Sequence, residues 1–144
     1  MKMEKQTSSQ WWRWILMPLA AYIFAPIVAI FIAYSLAIVA KANGMSGGFI
    51  FLYVIPVIAT GALGYTFAKI SCDVAPSRKF AAGAVMVAFL SLICIASAAW
   101  AWISQSIDST AAIQSTIGAF ATVIPAILRV AKEREKHIYG DGPW

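Results

Sequence analysis

Charge is scarce in this chain, and side chains able to carry chemistry are scarcer still. Only 12% of residues are Asp, Glu, Lys or Arg, whereas a soluble globular domain is closer to a quarter charged. So few charges cannot cover the surface of a water-soluble fold of 144 residues. Histidine occurs once, at His137, which excludes bis-histidine haem ligation and a histidine-rich metal site. The two cysteines, Cys72 and Cys94, make no Cys-x-x-Cys pair, so the four-helix quinone-linked thiol oxidases are a poor match. Along a helix these two would stand ~33 Å apart, out of reach of a disulfide. Cys94 is expected inside a helix, and Cys72 is expected as a free thiol in the loop before it.

Other constellations fail in the same way. Asp108 has Ser104, Ser106 and Ser109 for neighbours but no nearby histidine or lysine base, and helix capping accounts for it. Gly61-Ala62-Leu63-Gly64 falls inside an apolar run and is no phosphate loop. No catalytic, cofactor-binding or metal-ligating residue is assigned, no cofactor is expected, and the chain reads as a non-enzyme.

What the chain has in excess is apolar length: 61% of its residues are hydrophobic. Four runs, over 14–40, 49–68, 80–103 and 110–128, contain no Asp, Glu, Lys, Arg or His. Each is near or above the ~17–25 residues that a spanning helix needs. The run over 27–33 reads Ile-Val-Ala-Ile-Phe-Ile-Ala and does not alternate, which argues against the strands of a membrane barrel. The expected fold is an all-α integral membrane protein with one domain over 1–144. Its spans are placed at 12–41, 48–70, 79–104 and 109–131, followed by a cytoplasmic helical extension and tail over 132–144. Short breaker-rich segments join the runs, with Ser77 and Asp108 as candidate caps. Connections this short predict an antiparallel up-down-up-down bundle.

The first run would be ~40 Å long as a straight helix, against a hydrocarbon core of ~30 Å. It must tilt, kink or protrude, and Pro18 and Pro26 are the candidate kinks. Its Ile, Leu, Phe and Val residues contribute roughly −4 to −8 kcal/mol to insertion. Ala40-Lys41-Ala42 resembles a signal-cleavage site, but a signal core is only ~7–15 residues long. An uncleaved first span is expected.

Orientation follows from the cations. Four spans put the N-terminus, the middle loop and the C-terminus on one side. That side collects Lys2, Lys5 and Arg13, then Lys69, Arg78 and Lys79, then Arg129, Lys132, Arg134 and Lys136. The other side has Lys41 alone. Lys and Arg favour the cytoplasm, so both termini are expected there, and Arg13, Lys69, Arg78, Lys79, Arg129, Lys132, Arg134 and Lys136 are read as topology and headgroup residues. Trp11, Trp12 and Trp14 mark one interface, and Trp100 and Trp102 the other. The net charge of +5 is thereby explained without nucleic acid. Beyond Arg129 the last helix is expected to run on to Tyr139, with Arg129–Glu133 as an i,i+4 pair.

Small residues recur every four positions. Ala21, Ala25, Ala29, Ala33 and Ala37 form the longest series; Thr60, Gly64 and Ala68 form a second, and Ala111, Ser115 and Ala119 a third. Such stripes let helix backbones approach in lipid, where contact quality and not water exclusion drives association. Four residues overshoot one turn by ~40°, so the alanine series is expected to touch two neighbours or to cross one steeply. The fourth run is the least apolar, holding Gln114, Ser115, Thr116 and Thr122, and is expected to turn its Ser/Thr face toward protein. Val-Ile-Pro occurs at 54–56 and at 123–125, but the two prolines differ in depth by ~12 Å, which argues against an internal repeat. The Thr60 and Thr122 hydroxyls are expected to satisfy backbone groups freed by these prolines.

No ionisable group lies at mid-depth, which argues against ion-coupled carriers and against the membrane-embedded glutamate of small multidrug carriers. Size and topology resemble those of small bacterial inner-membrane proteins. The leading expectation is an accessory protein packing laterally against itself or a larger membrane complex. The alternatives are a holin-like pore former, a membrane immunity or exclusion protein, and a small uncharged-solute channel or carrier. The last would draw on Tyr34, Ser35, Ser91, Ser97 and Thr122. Four runs this apolar should hold the chain in the membrane pellet through alkaline carbonate extraction; release into the supernatant would overturn the reading.

Overall fold

A computed structural model describes residues 11–45, 48–75, 79–104 and 109–139. The described residues form four helices: α1 (Trp11–Ala42), α2 (Ile55–Val74, entered through a π-helical turn at Ile50–Val54), α3 (Lys79–Ile103) and α4 (Ser109–Tyr139). All four are long and apolar enough to cross a membrane. At 1.5 Å per residue α1 is ~48 Å long, and both Pro18 and Pro26 lie inside it. It ends where Gly44 takes φ 73°. There the Gly44 N–H donates to the Lys41 carbonyl and the Met45 N–H to the Ala40 carbonyl, a paired closure that needs a left-handed residue. The candidate caps Ser77 and Asp108 lie outside the described residues.

α2 is the axis of the bundle, in contact with α1, α3 and α4. Its tightest seam is with α4. A Cβ on Gly64 would overlap the Thr122 backbone carbonyl, and one on Gly118 would touch the Thr60 methyl at 3.9 Å. In both pairs the α4 residue stands 58 positions after its α2 neighbour. Ala126 and Val130 continue the series, sharing one buried cluster with Ala68 and Cys72. On the other flank of α2, a Cβ on Gly83 of α3 would overlap the Cys72 Sγ. Tyr22 of α1 meets Phe67 edge to face, with ring centroids 5.3 Å apart.

Packing is uneven along the bundle. One end gathers the start of α1, the end of α2, the start of α3 and the end of α4; it is the basic end. Met17, Ala21 and Ala25 of α1 sit there in one cluster with Phe67 of α2 and with Met86 and Leu90 of α3. All the buried residues of α3, from Ala82 to Leu90, lie in this half. From Ser91 onward the described residues of α3 are partly or fully exposed. α3 therefore touches its neighbours closely at the basic end and only α4 closely at the far end.

Two sequence expectations need correction. Cys72 is not in a loop: α2 runs on to Val74, and Cys72 and Ser71 are fully buried. The apolar run stops at residue 68, but the helix continues, with Lys69 on its exposed face while Ser71 and Cys72 turn inward. Nor do the threonine hydroxyls take the carbonyls that proline frees. Thr60 donates to the Pro56 carbonyl at 2.8 Å and Thr122 to the Gly118 carbonyl at 2.8 Å. Proline removes the partner of the carbonyl four residues before it, which means Leu52 for Pro56 and Ala121 for Pro125. A threonine hydroxyl reaches back only three or four residues along its own helix.

The α2–α4 seam makes a sharp prediction. Gly64→Ala should cost about 3 kcal/mol of unfolding free energy in mixed micelles, since backbone stands where the methyl must go. Gly61→Ala would meet the Ala121 oxygen at an ordinary 3.5 Å, so it should be neutral or stabilise by up to about 1 kcal/mol through helix propensity. Equal losses at the two glycines would contradict the seam.

Candidate functional site

Among the described residues, side chains converge at three places in particular, and each is polar or open for a different physical reason. The first is a cross-helix repair. Pro56 has no N–H, so the Leu52 carbonyl loses its helical partner. The Gln114 side chain of α4 donates to that carbonyl at 3.0 Å. The same gap explains the π-helical turn, whose next residue, Ile55, donates back to Ile50. An amide that would be costly against lipid tails thus closes a backbone defect that would be equally costly. At the same level of α4, Thr116 accepts from the Trp102 indole at 2.9 Å and donates to the Ala112 carbonyl at 2.9 Å. The Ala121 carbonyl, freed by Pro125, faces the bare backbone of Gly61.

The second place is a charge cluster at the basic end. Arg129 of α4 pairs with Glu133 at 2.8 Å and reaches Asp73 of α2 at 3.9 Å. Its side chain is only 10% exposed. Among the cations read as headgroup residues, Arg129 thus turns toward protein carboxylates. Lys69, Lys79, Lys132 and Arg134 stand exposed and Arg13 is partly so. Arg78 lies outside the described residues, and Lys136 is placed only as a residue of α4.

The third place is the α3–α4 face. A cleft of about 360 Å³ runs from Phe80 and Arg134 at the basic end, past Ala84 and Ala88, to Ser91. A second, of about 350 Å³, continues from Ser91 past Ala98 and Ala119 to Trp102 and Thr116. Its lining is almost wholly carbon. The Arg134 guanidinium lies 6.0 Å from the centre of the Phe80 ring.

The small-residue stripes divide. Ala21, Ala25 and Ala29 are buried, whereas Ala33 and Ala37 are partly exposed. Gly64 and Ala68 are buried and Thr60 is partly so. On α4 the buried positions are Ala112, Thr122, Ala126 and Val130, while Ala111, Ser115 and Ala119 are partly exposed. The stripe on α4 is thus rotated by about one residue from the one that spacing suggested. The buried set includes Val130, so a search confined to small residues could not find it.

The polar residues available for a solute path are not brought together. Tyr34 and Ser35 lie on α1, Ser91 and Ser97 on α3, and Thr122 against α2. The hydroxyls of Ser35, Ser91, Ser97 and Thr122 each donate to a carbonyl of their own helix, at 2.8–2.9 Å. Among the described residues no group of three His, Cys, Asp or Glu side chains could hold a metal.

The cross-helix repair can be tested by a double-mutant cycle. Gln114→Leu should cost about 1 kcal/mol alone. In a Pro56→Ala background, where residue 56 regains the N–H that Leu52 lacks, the same change should cost about half as much or less. Additive costs would show that the amide does not serve that carbonyl.

No protein-family model, curated protein or solved structure matches the chain.

Proposed function

We propose that this is a small non-enzymatic protein of a bacterial inner membrane that acts by packing laterally against a second copy of itself or a larger membrane complex. The four helices cross the bilayer in an up-down-up-down, antiparallel order, with both termini in the cytoplasm. Three features support that arrangement: four apolar helices, the gathering of Arg129, Lys79 and Lys69 at one end, and the pairing of early α3 with late α2 and late α4.

The observation that carries the functional reading is the unequal packing of the alanine ridge on α1. Its half at the basic end, Ala21, Ala25 and Ala29, is buried inside the chain. Its far half, Ala33 and Ala37, remains partly open. In lipid, helices associate where small residues let backbones come close. The far half of α1 supplies such a surface, and the helix bends no polar group toward it that would require water: the Ser35 hydroxyl is already bonded to Phe31.

Substituting Leu for both Ala33 and Ala37 should abolish a crosslinked or co-purified assembly while leaving the unfolding transition of the monomer within about 1 kcal/mol of the parent. Leu at Ala21 and Ala25 should instead destabilise the chain itself by several kcal/mol, since both are fully buried. An assembly that survives the first pair unchanged would overturn this interface.

A further inference from the structure

The α3–α4 cleft is open along its length, and its two ends differ in chemistry. At the far end it closes on neutral groups, the Trp102 indole already donating to Thr116. At the basic end it closes on Arg134, which lies over Phe80. Unlike Arg129, Arg134 has no carboxylate partner among the described residues. Lys79 stands exposed beside Phe80 in sequence, and because α3 begins at Lys79, its first-turn N–H groups add positive potential at the same end. Between these cations and Ser91 the lining is apolar, with Ala84 and Ala88 leaving room where larger side chains would fill it. Phe80 to Ser91 covers ~16 Å of helix, about half of a ~30 Å hydrocarbon core.

The geometry points to a binding site for one anionic phospholipid of the leaflet at the basic end, with an acyl chain lying along Ala84 and Ala88 toward Ser91 and the phosphate on the Arg134 guanidinium. The match is one of both length and charge. A single acyl chain descends through one leaflet, and the inner section of the cleft is one leaflet deep. A phosphate needs a cation without a carboxylate partner, and among the described residues Arg134, at the basic end of the cleft, has none. Arginine also suits a phosphate through its forked donors. The cleft volume, about 360 Å³, lies in the range of ligand sites. This inference rests on the membrane-spanning reading but not on the lateral interface, which lies on α1.

Native mass spectrometry of the detergent-purified full chain tests it, with dioleoyl phosphatidylglycerol, dioleoyl phosphatidylcholine and glycerol phosphate as probes. The parent should retain one phosphatidylglycerol in preference to phosphatidylcholine, and glycerol phosphate should not be retained. Arg134→Gln should lower that preference about fivefold, whereas Lys132→Gln, an exposed cation off the cleft, should leave it unchanged. Ala88→Phe fills the cleft from an exposed position and should reduce retention of both lipids without changing the unfolding transition. Equal retention of the two phospholipids by the parent, or retention unmoved by Arg134→Gln and Ala88→Phe, would overturn the site. So would loss of a dimer on Ala88→Phe with no lipid retained by the parent, since the cleft would then belong to a second copy. If the Ala33 and Ala37 variants keep their lipid while losing their assembly, the two proposals stand apart; a chain released by alkaline carbonate would remove both.

Discussion

A helix surrounded by hydrocarbon has no solvent to complete its hydrogen bonds, and that constraint organises most of what is polar in this chain. Each unpaired backbone group there costs several kcal/mol. Ser35, Thr60, Ser71, Ser91, Ser97 and Thr122 all turn their hydroxyls onto carbonyls of their own helix. Pro56 breaks the rule locally, and the nearest long polar side chain, Gln114, restores it from the neighbouring helix. The described residues contain no buried side-chain nitrogen or oxygen without a partner. The buried polar groups are thereby closed to a neighbouring protein within the apolar zone, and shape becomes the main means of recognition there.

Shape is set by the seam between α2 and α4. Gly64 lets the backbone at Thr122 come closer than any Cβ would permit, and the constant offset of 58 residues carries that closeness along several turns. Once α4 is fixed to α2, Arg129 falls beside Asp73, and Gln114 falls beside Leu52. α3 then packs at the basic end, where Gly83 meets Cys72, and diverges beyond Leu90. The outer section of the α3–α4 cleft, from Ser91 to Trp102, lies along that less covered stretch of α3.

Much of this was legible from residue order alone, and the reason is physical. Runs without charge are a property of single residues summed along the chain, so four helices could be read without knowing what touched what. The clustering of cations at one end is likewise a sum. Contacts are different. The alanine ridge on α1 was visible as spacing, but which half of it is covered depends on where Phe67 of α2 and Met86 and Leu90 of α3 meet it. The partner of Gln114 is 62 residues away in sequence, and nothing local announces that Pro56 has left a carbonyl open beside it. Cys72 lies past the end of the apolar run at residue 68, yet the helix continues, carrying Lys69 and Asp73 on its exposed face and burying Ser71 and Cys72 on the other. Arg129 and Arg134 look alike as letters, yet one is 10% exposed between two carboxylates and the other lies exposed over an aromatic ring.

That last contrast bears on what a protein so poor in chemistry can still do. With the interior hydrogen bonds closed, two kinds of recognition remain available at low cost: van der Waals fit between smooth helix faces, and a long-range pull on anionic groups at the headgroup level. They act at different depths and on different sides of this bundle. The far half of α1 offers fit without charge; the basic end of the α3–α4 cleft offers charge with a channel of carbon behind it. A lipid seated in that cleft would lie against both α3 and α4 between Arg134 and Ser91, so the leaflet itself would become part of the packing on that face.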